Sequence, residues 1–302
     1  MPLTVDCKTH EIIELQEFVD RLYENKVDPS DQESLLAAAP DLKALSNNKH
    51  FLGQYIANEI KNYSEFQKDN TYSSQVILLH APSEGSKFFV RANVWPSKKD
   101  YLTLINGEDA FFYHKPHDHN FNFLTVGYIG SGYWSDYYEY DYDKVIGYPG
   151  ESVNLKFVER SNLQEGKVML YRAHLDVHDQ LPADEYSISL NIMENSISNP
   201  MLDQYSFDTE NRKIKSIINN NGTKALFDVA VIAGDDSSYD VVDHIANNHL
   251  IERVRLNAID AMSKKQDTLE DIIGHYERYA RDRSVFVQKN IKTRLLKLES
   301  LA

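Results

Sequence analysis

The sequence predicts an α+β protein in which an antiparallel β-sandwich or barrel lies between two helical segments. Apolar residues recur at helical spacing over residues 1–70. Short segments rich in β-branched and aromatic residues, separated by turn residues, fill residues 71–197. Helical spacing returns over residues 198–302. The predicted domains are therefore an amino-terminal helical segment, a strand-rich core and a carboxy-terminal helical region.

Two helices are predicted near the amino terminus. Leu15, Phe18 and Leu22 have the spacing of one apolar helix face, and residues 51–60 repeat this pattern. The segment Asp28-Pro29-Ser30 separates the helices, because proline ends one helix and aspartate or serine begins the next.

The strand-rich core contains eight predicted strands. Gly85, Gly130 and Gly166 are among the turn residues that separate them. The predicted strands cover residues 75–79, 87–94, 110–114, 121–129, 133–140, 153–158, 167–171 and 186–193.

Five helices are predicted after the core, over residues 225–233, 239–246, 250–262, 268–280 and 284–298. Thr268 and Ser284 are expected to cap the last two. The segment 250–262 resembles the second helix of a HEAT-type repeat, and an ordinary helical extension explains it equally well.

Composition and charge restrict the classes of function. With 42% hydrophobic and 26% charged residues among 302, the chain has the composition of a globular protein. A net charge of −14 disfavours binding to nucleic acid or to anionic membranes. No apolar run reaches the roughly 20 residues that span a bilayer, and the amino terminus lacks the pattern of a signal peptide. We therefore expect a cytoplasmic protein.

The histidines are the most informative residues. Cys7 is the only cysteine, so a metal site would use histidine, aspartate or glutamate. His117 and His119 project to the same face of an extended strand, whereas Asp118 points away. Imidazole nitrogens suit iron, zinc, copper or nickel. A chance cluster on a solvated loop is the alternative.

A second histidine segment follows, with Gly166 at its start, then His174 and His178, and a closing strand over residues 187–192. With the His-x-His pair, this arrangement resembles the cupin superfamily over residues 72–195. The resemblance implies a jelly-roll barrel that carries the metal site. Phe123 stands at the place of the glutamate in the first cupin motif, and Gly130 at the place of its glycine.

The missing glutamate favours a three-histidine site, as in thiol dioxygenases and some other cupin oxygenases. The resemblance implies His117, His119 and His178 as ligands, with His174 as the alternative third ligand. A competing interpretation uses His174 and Asp176 as the His-x-Asp of a 2-oxoglutarate oxygenase, completed by His244 or His249.

Three neutral imidazoles leave a divalent metal its full charge and open coordination positions. The resemblance implies Fe(II), or another divalent transition metal, in an oxygenase that uses dioxygen and a small organic substrate. Two alternatives stay open. One is a binding or regulatory protein whose carboxy-terminal helices recognise a partner, and the other is an isomerase or lyase with a Lewis-acid metal. A homodimer is compatible with either.

Four other residues are candidates for the site. Arg91 could clamp a substrate carboxylate if it faces inward, or could lie on the surface beside Trp95. Arg172 and Gln180 flank the second histidine segment and could bind substrate or orient an imidazole. Tyr138 could enter the site, although cross-strand packing explains a tyrosine there equally well.

Overall fold

A computed structural model describes residues 1–62, 67–68, 70, 72–73, 75–81, 85–195, 201–219 and 222–300. The chain forms two compact units. The first comprises Met1–Tyr140, Asn154–Ile197 and Ser206–Arg212, and the second comprises Asp141–Val153, Ser198–Tyr205 and Lys213–Ala302. The three-domain division stays a prediction, and its boundary residues 71 and 197 lie outside the described ranges.

The amino-terminal helices belong to the first unit. Both predicted helices are confirmed, since Leu15, Phe18 and Leu22 lie in one helix and residues 51–59 form another. The helices of this unit are α1 (Leu15–Glu24), α2 (Gln32–Ala37), α3 (Ala39–Asn47), α4 (Phe51–Glu59) and α5 (Tyr101–Asn106), with 3₁₀ turns at Ile60–Asn62 and Glu108–Phe111.

The strand predicted over residues 110–114 is wrong. Residues Glu108–Phe111 form a 3₁₀ turn, and Phe112 and His114 have φ angles of 64° and 58°. A strand requires negative φ throughout, so two left-handed residues prevent an extended segment here. The other predicted strands are present with shifted ends.

The strands of the chain are β1 (Leu3–Val5), β2 (Val76–His80), β3 (Phe88–Trp95), β4 (Phe123–Ile129), β5 (Trp134–Glu139), β6 (Lys156–Asn162), β7 (Val168–Tyr171), β8 (Asp176–Leu181), β9 (Ser187–Glu194), β10 (Tyr205–Asp208) and β11 (Lys213–Ile217). In the first unit, one sheet has the order β1-β7-β4-β9-β3-β2 and a second has the order β6-β5-β8. The pairings that build these two sheets are antiparallel. No pairing of strands in the described part of the unit closes them into a barrel.

The six-stranded sheet is buried on both faces. Val90, Leu124 and Ile192 point to one face, where they share a core with α1 and α3. Their neighbours Phe89, Phe123 and Met193 point to the other face, where they share a core with Tyr137 of the three-stranded sheet. The period-two alternation of strands therefore separates a helix-covered face from an interior face between the sheets.

The second unit is helical in its carboxy-terminal part, as predicted. Its helices are α6 (Gly222–Ala233), α7 (Asp236–Asn248), α8 (Glu252–Ser263), α9 (Leu269–Arg278) and α10 (Val285–Glu299). The side chain of Thr268 caps α9 by accepting a hydrogen bond from the Asp271 amide, as predicted. Ser284 occupies the capping position of α10 without a capping hydrogen bond. The HEAT-type repeat stays a prediction. No helix within the described ranges is long and apolar enough to cross a membrane.

Candidate metal centre

Three buried histidines of the first unit come together between its two sheets. His117, His119 and His178 are 4%, 9% and 2% exposed, and each offers a ring nitrogen within 4.8 Å of the others. The Nε2 atom of His178 lies 3.2 Å from Nε2 of His119 and 3.2 Å from Nε2 of His117. The three rings therefore converge through the same type of atom.

Backbone pairing holds two of these histidines opposite each other. The His117 amide donates to the His178 carbonyl at 3.0 Å, and the His178 amide donates to the His117 carbonyl at 3.0 Å. Ser206 pairs with the other side of His117. His117 and His119 precede β4 instead of lying in a regular strand, and His178 lies within β8. As predicted, Asp118 faces elsewhere, and its carboxylate accepts a hydrogen bond from Tyr140.

The surroundings keep the imidazoles neutral. Burial lowers the pKa of His117 to about 4, and burial together with the neighbouring histidines lowers the pKa of His119 and His178 well below the usual range. The Nδ1 atom of His117 lies 2.6 Å from the Lys115 carbonyl, so Nδ1 carries the proton and Nε2 presents its lone pair. A neutral imidazole with a free lone pair is the form that binds a metal.

The spacing of the nitrogens fits a shared metal ion. Metal–nitrogen bonds of about 2.1 Å place two ligands of a tetrahedral or octahedral ion about 3.0–3.4 Å apart. The two Nε2 pairs that include His178 fall in this range at 3.2 Å. Lone pairs at this distance repel each other unless a proton or a cation lies between them. The Nε2 atom of His178 carries at most one proton, which points to one neighbour, whereas a shared cation would relieve both contacts.

Aromatic rings shield this group. The rings of Phe121 and Phe123 lie 5.0 and 4.9 Å from the His119 ring. Phe123 also stacks on Tyr171 at 4.3 Å. The residue at the place of the cupin glutamate therefore packs against a histidine of the group and offers it no ligand atom.

Three buried tyrosines that the sequence pattern did not single out lie beside the histidines. The hydroxyl of Tyr171 lies 3.1 Å from that of Tyr137 and 3.3 Å from that of Tyr133. The Tyr171 ring meets the His178 ring at 5.0 Å, and Tyr137 pairs with His178 across the sheet. Burial raises the pKa of Tyr133 to about 12 and that of Tyr171 well above its usual value, so these phenols stay protonated.

Arg91 faces the interior. It follows Val90, which points to the helices, and it pairs with Asn191 in the neighbouring strand. Its Nε is buried without a hydrogen-bond partner among the described residues, as are the side-chain oxygens of Asn93 and Asn191. The Arg91 charge contributes to the low pKa of His119. Buried polar atoms such as these require a partner, which a polar ligand can supply.

The structure places the other predicted site residues apart from this group. His174 is not among the three converging histidines, although its amide donates to the His119 carbonyl at 2.8 Å. The Tyr138 ring contacts Phe157 at 5.4 Å, whereas its neighbour Tyr137 faces the interior. Arg172 forms an ion pair with Asp176 at 2.7 Å.

Gln180 is buried in β8, and its side chain contributes to the pKa of Tyr133. Within the described ranges, the group of histidine and carboxylate side chains close enough to share a metal is the three-histidine one. The Asp176 carboxylate accepts a hydrogen bond from Arg172. Nδ1 of His249 accepts one from the Ile251 amide.

No protein-family model matches the sequence, and no curated protein does so either. Three solved structures illustrate the structural similarities. Hydroquinone 1,2-dioxygenase in complex with Cd2+ and 4-hydroxybenzonitrile is 10% identical, with a TM-score of 0.24 and coverage of 42% of this chain and 68% of its own. A cupin domain from Bordetella pertussis is 12% identical, with a TM-score of 0.23 and coverage of 42% and 100%.

The DMSP lyase DddQ from Ruegeria pomeroyi is 9% identical, with a TM-score of 0.26 and coverage of 65% of this chain and 79% of its own. At TM-scores this low, the similarities assign neither a fold family nor an activity to this chain.

Proposed function

We propose that the chain is a metal-dependent enzyme of the cupin type, in which His117, His119 and His178 hold a divalent transition metal. The convergence of three neutral imidazoles supports this proposal, since Nε2 of His178 lies 3.2 Å from Nε2 of each of the other two histidines. The two antiparallel sheets of the first unit support the jelly-roll part of it, since cupins are double-sheet structures.

We further propose that the metal is Fe(II) and that the reaction joins dioxygen to a small anionic substrate. An Fe(II) ion held by three neutral ligands would supply open coordination positions and electrons for dioxygen chemistry. The residues of the chain have separate tasks. Phe121 and Phe123 exclude water from the His119 side of the group, and the Nδ1–H of His117 fixes the ring through the Lys115 carbonyl.

Arg91 would hold the substrate by its carboxylate. Its buried Nε has no hydrogen-bond partner in the described part of the chain, and a guanidinium can meet a carboxylate with two parallel hydrogen bonds. Asn93 and Asn191 present acceptor oxygens on the same interior face of the sheet, so they would receive hydrogen bonds from a substrate amine or hydroxyl.

The tyrosine group favours a second candidate, a metal-dependent lyase or isomerase. The protonated phenols of Tyr133 and Tyr137 both lie within hydrogen-bonding distance of the Tyr171 hydroxyl, so the group can hold and pass a proton. Such proton transfer would support a reaction without net oxidation, in which the metal acts as a Lewis acid.

The first experiment measures the metal content of protein purified without a histidine tag. We expect close to one first-row transition metal ion per chain. The iron-loaded protein should consume dioxygen with members of a panel of small carboxylic acids, with and without a thiol group. Dioxygen uptake with none of them, together with conversion of a substrate under anaerobic conditions, would favour the lyase or isomerase. Protein that neither contains nor takes up a metal would refute the proposal.

Arg91→Gln is expected to lower kcat/KM about tenfold to a hundredfold for the carboxylic acid that supports turnover, mainly through a higher KM. The glutamine amide keeps one of the two donors, and the one charge-assisted hydrogen bond that is lost is worth about 1.5–3 kcal/mol. Steady-state kinetics on the metal-loaded variant check this. Arg160→Gln is the matched control, because Arg160 is exposed and pairs with Asp136, and it should leave KM unchanged. Equal effects of both variants would contradict the role of Arg91.

A further inference from the structure

The second unit contains a separate polar cavity of about 250 Å³. Helices α8 and α10 supply much of its wall, and its polar lining includes two arginines, one lysine and three asparagines. The volume lies just below the range of about 300–1,000 Å³ that is usual for sites of drug-sized ligands, so a small metabolite would fit.

One arginine of this cavity is fixed before any ligand binds. Arg253 is 5% exposed and forms an ion pair with Asp203. Its guanidinium lies 4.3 Å from the centre of the Phe286 ring and 4.7 Å from that of Tyr142. Aromatic faces on a guanidinium restrict its rotamers, so little side-chain entropy is left to lose on binding.

The other arginine is fixed in a similar way. Arg294 binds the Asp260 carboxylate through Nε and Nη2, both at 2.6 Å, and its Nη1 binds the side-chain oxygen of Asn290 at 3.0 Å. The two carboxylates of the cavity wall, those of Asp203 and Asp260, are therefore each neutralised by an arginine.

Lys224 adds a positive charge that no carboxylate of a described residue balances. It forms no ion pair with any residue that the structure describes. It also lies in the first turn of α6, where the helix dipole makes a cation unfavourable by about 0.3–1 kcal/mol. The side-chain amide of Asn257, on α8, likewise has no hydrogen-bond partner within the described ranges. The wall thus presents an excess positive charge and a free amide donor to the same space.

We propose that this cavity binds the oxyanion group, a phosphate or a carboxylate, of a small metabolite. Lys224 would supply the charge, Asn257 a directed hydrogen bond, and Arg253 and Arg294 a fixed positive wall behind it. None of the three histidines lines this cavity, so the oxyanion proposal does not depend on whether those histidines bind a metal.

The test is calorimetric titration of the full chain with inorganic phosphate and, separately, with acetate, at constant ionic strength. We expect saturable binding with one site per chain. Binding of phosphate alone or acetate alone identifies the oxyanion class, and either result supports the site. Saturation by neither probe at millimolar concentration overturns the proposal.

Three variants locate the binding. Lys224→Ala should weaken it about tenfold or more, since a hydrogen bond to a charged group is worth about 1.5–3 kcal/mol. Asn257→Ala should weaken it by a smaller factor. Lys289→Ala is the matched control, because this lysine is exposed on α10, carries the same charge and is not part of the cavity wall. If Lys289→Ala weakens binding as much as Lys224→Ala does, the effect is general electrostatics and the site is refuted.

Discussion

Replacement of His178 by alanine is expected to remove stoichiometric metal binding, whereas His174→Ala should retain it. The Nε2 atom of His178 lies 3.2 Å from the corresponding atoms of both other histidines, so its loss leaves two ligands. Changes to groups that merely orient a ligand already cost about tenfold to a hundredfold in affinity, and we expect a larger loss for the ligand itself. Titration with cobalt(II), followed by visible absorption, measures the affinity.

His174 provides the control for this prediction. It precedes β8 on the same stretch of chain, and its amide contacts the His119 carbonyl, yet its ring is not among the converging three. Thermal unfolding of each variant in the presence of a chelator shows whether the fold is retained, because a metal-free comparison separates ligand loss from unfolding. If His174→Ala empties the site and His178→Ala does not, His174 is the third ligand.

The sequence predicted the histidine group better than its surroundings. His117 and His119 are two residues apart, so extended backbone alone places them together. Tyr137 and Tyr171 are far apart in the chain and meet only because two sheets pack face to face. Alternation in β5 shows which residues share a face, but it does not show which face is inside. The candidate for the site was therefore Tyr138, whereas the structure turns its neighbour Tyr137 to the interior.

A similar limit applies to β3 and β8. Nearly every residue of β3 is buried, because helices cover one face of the sheet and the second sheet covers the other. The sequence of β3 alone therefore does not show which of the two covered faces the Arg91 side chain points to. Strand β8 was missed because Asp176, His178, Asp179 and Gln180 make it polar. Its polar residues border the histidine group, and residues at a functional site often have a lower strand propensity than the structure around them would favour.

Arg255→Ala is expected to destabilise the second unit by about 3–5 kcal/mol, the usual cost of removing one partner of a buried ion pair. Arg255 is 1% exposed and binds the Asp282 carboxylate through Nη2 at 2.7 Å. Its Nη1 also donates to the His249 carbonyl at 2.8 Å. The truncation would therefore leave a buried carboxylate without its counter-charge and a carbonyl without this donor.

Urea unfolding followed by far-ultraviolet circular dichroism is the suitable measurement, because the second unit is rich in helix and both tryptophans, Trp95 and Trp134, belong to the first unit. Arg255→Lys keeps the charge but loses the planar fork that meets Asp282 twice, so an intermediate loss is expected. Arg281→Ala, at an exposed position, should change stability by no more than about 0.5 kcal/mol. A loss below about 1 kcal/mol for Arg255→Ala would mean that Asp282 finds another partner or reaches water, and that this ion pair does not hold α8 to the segment before α10.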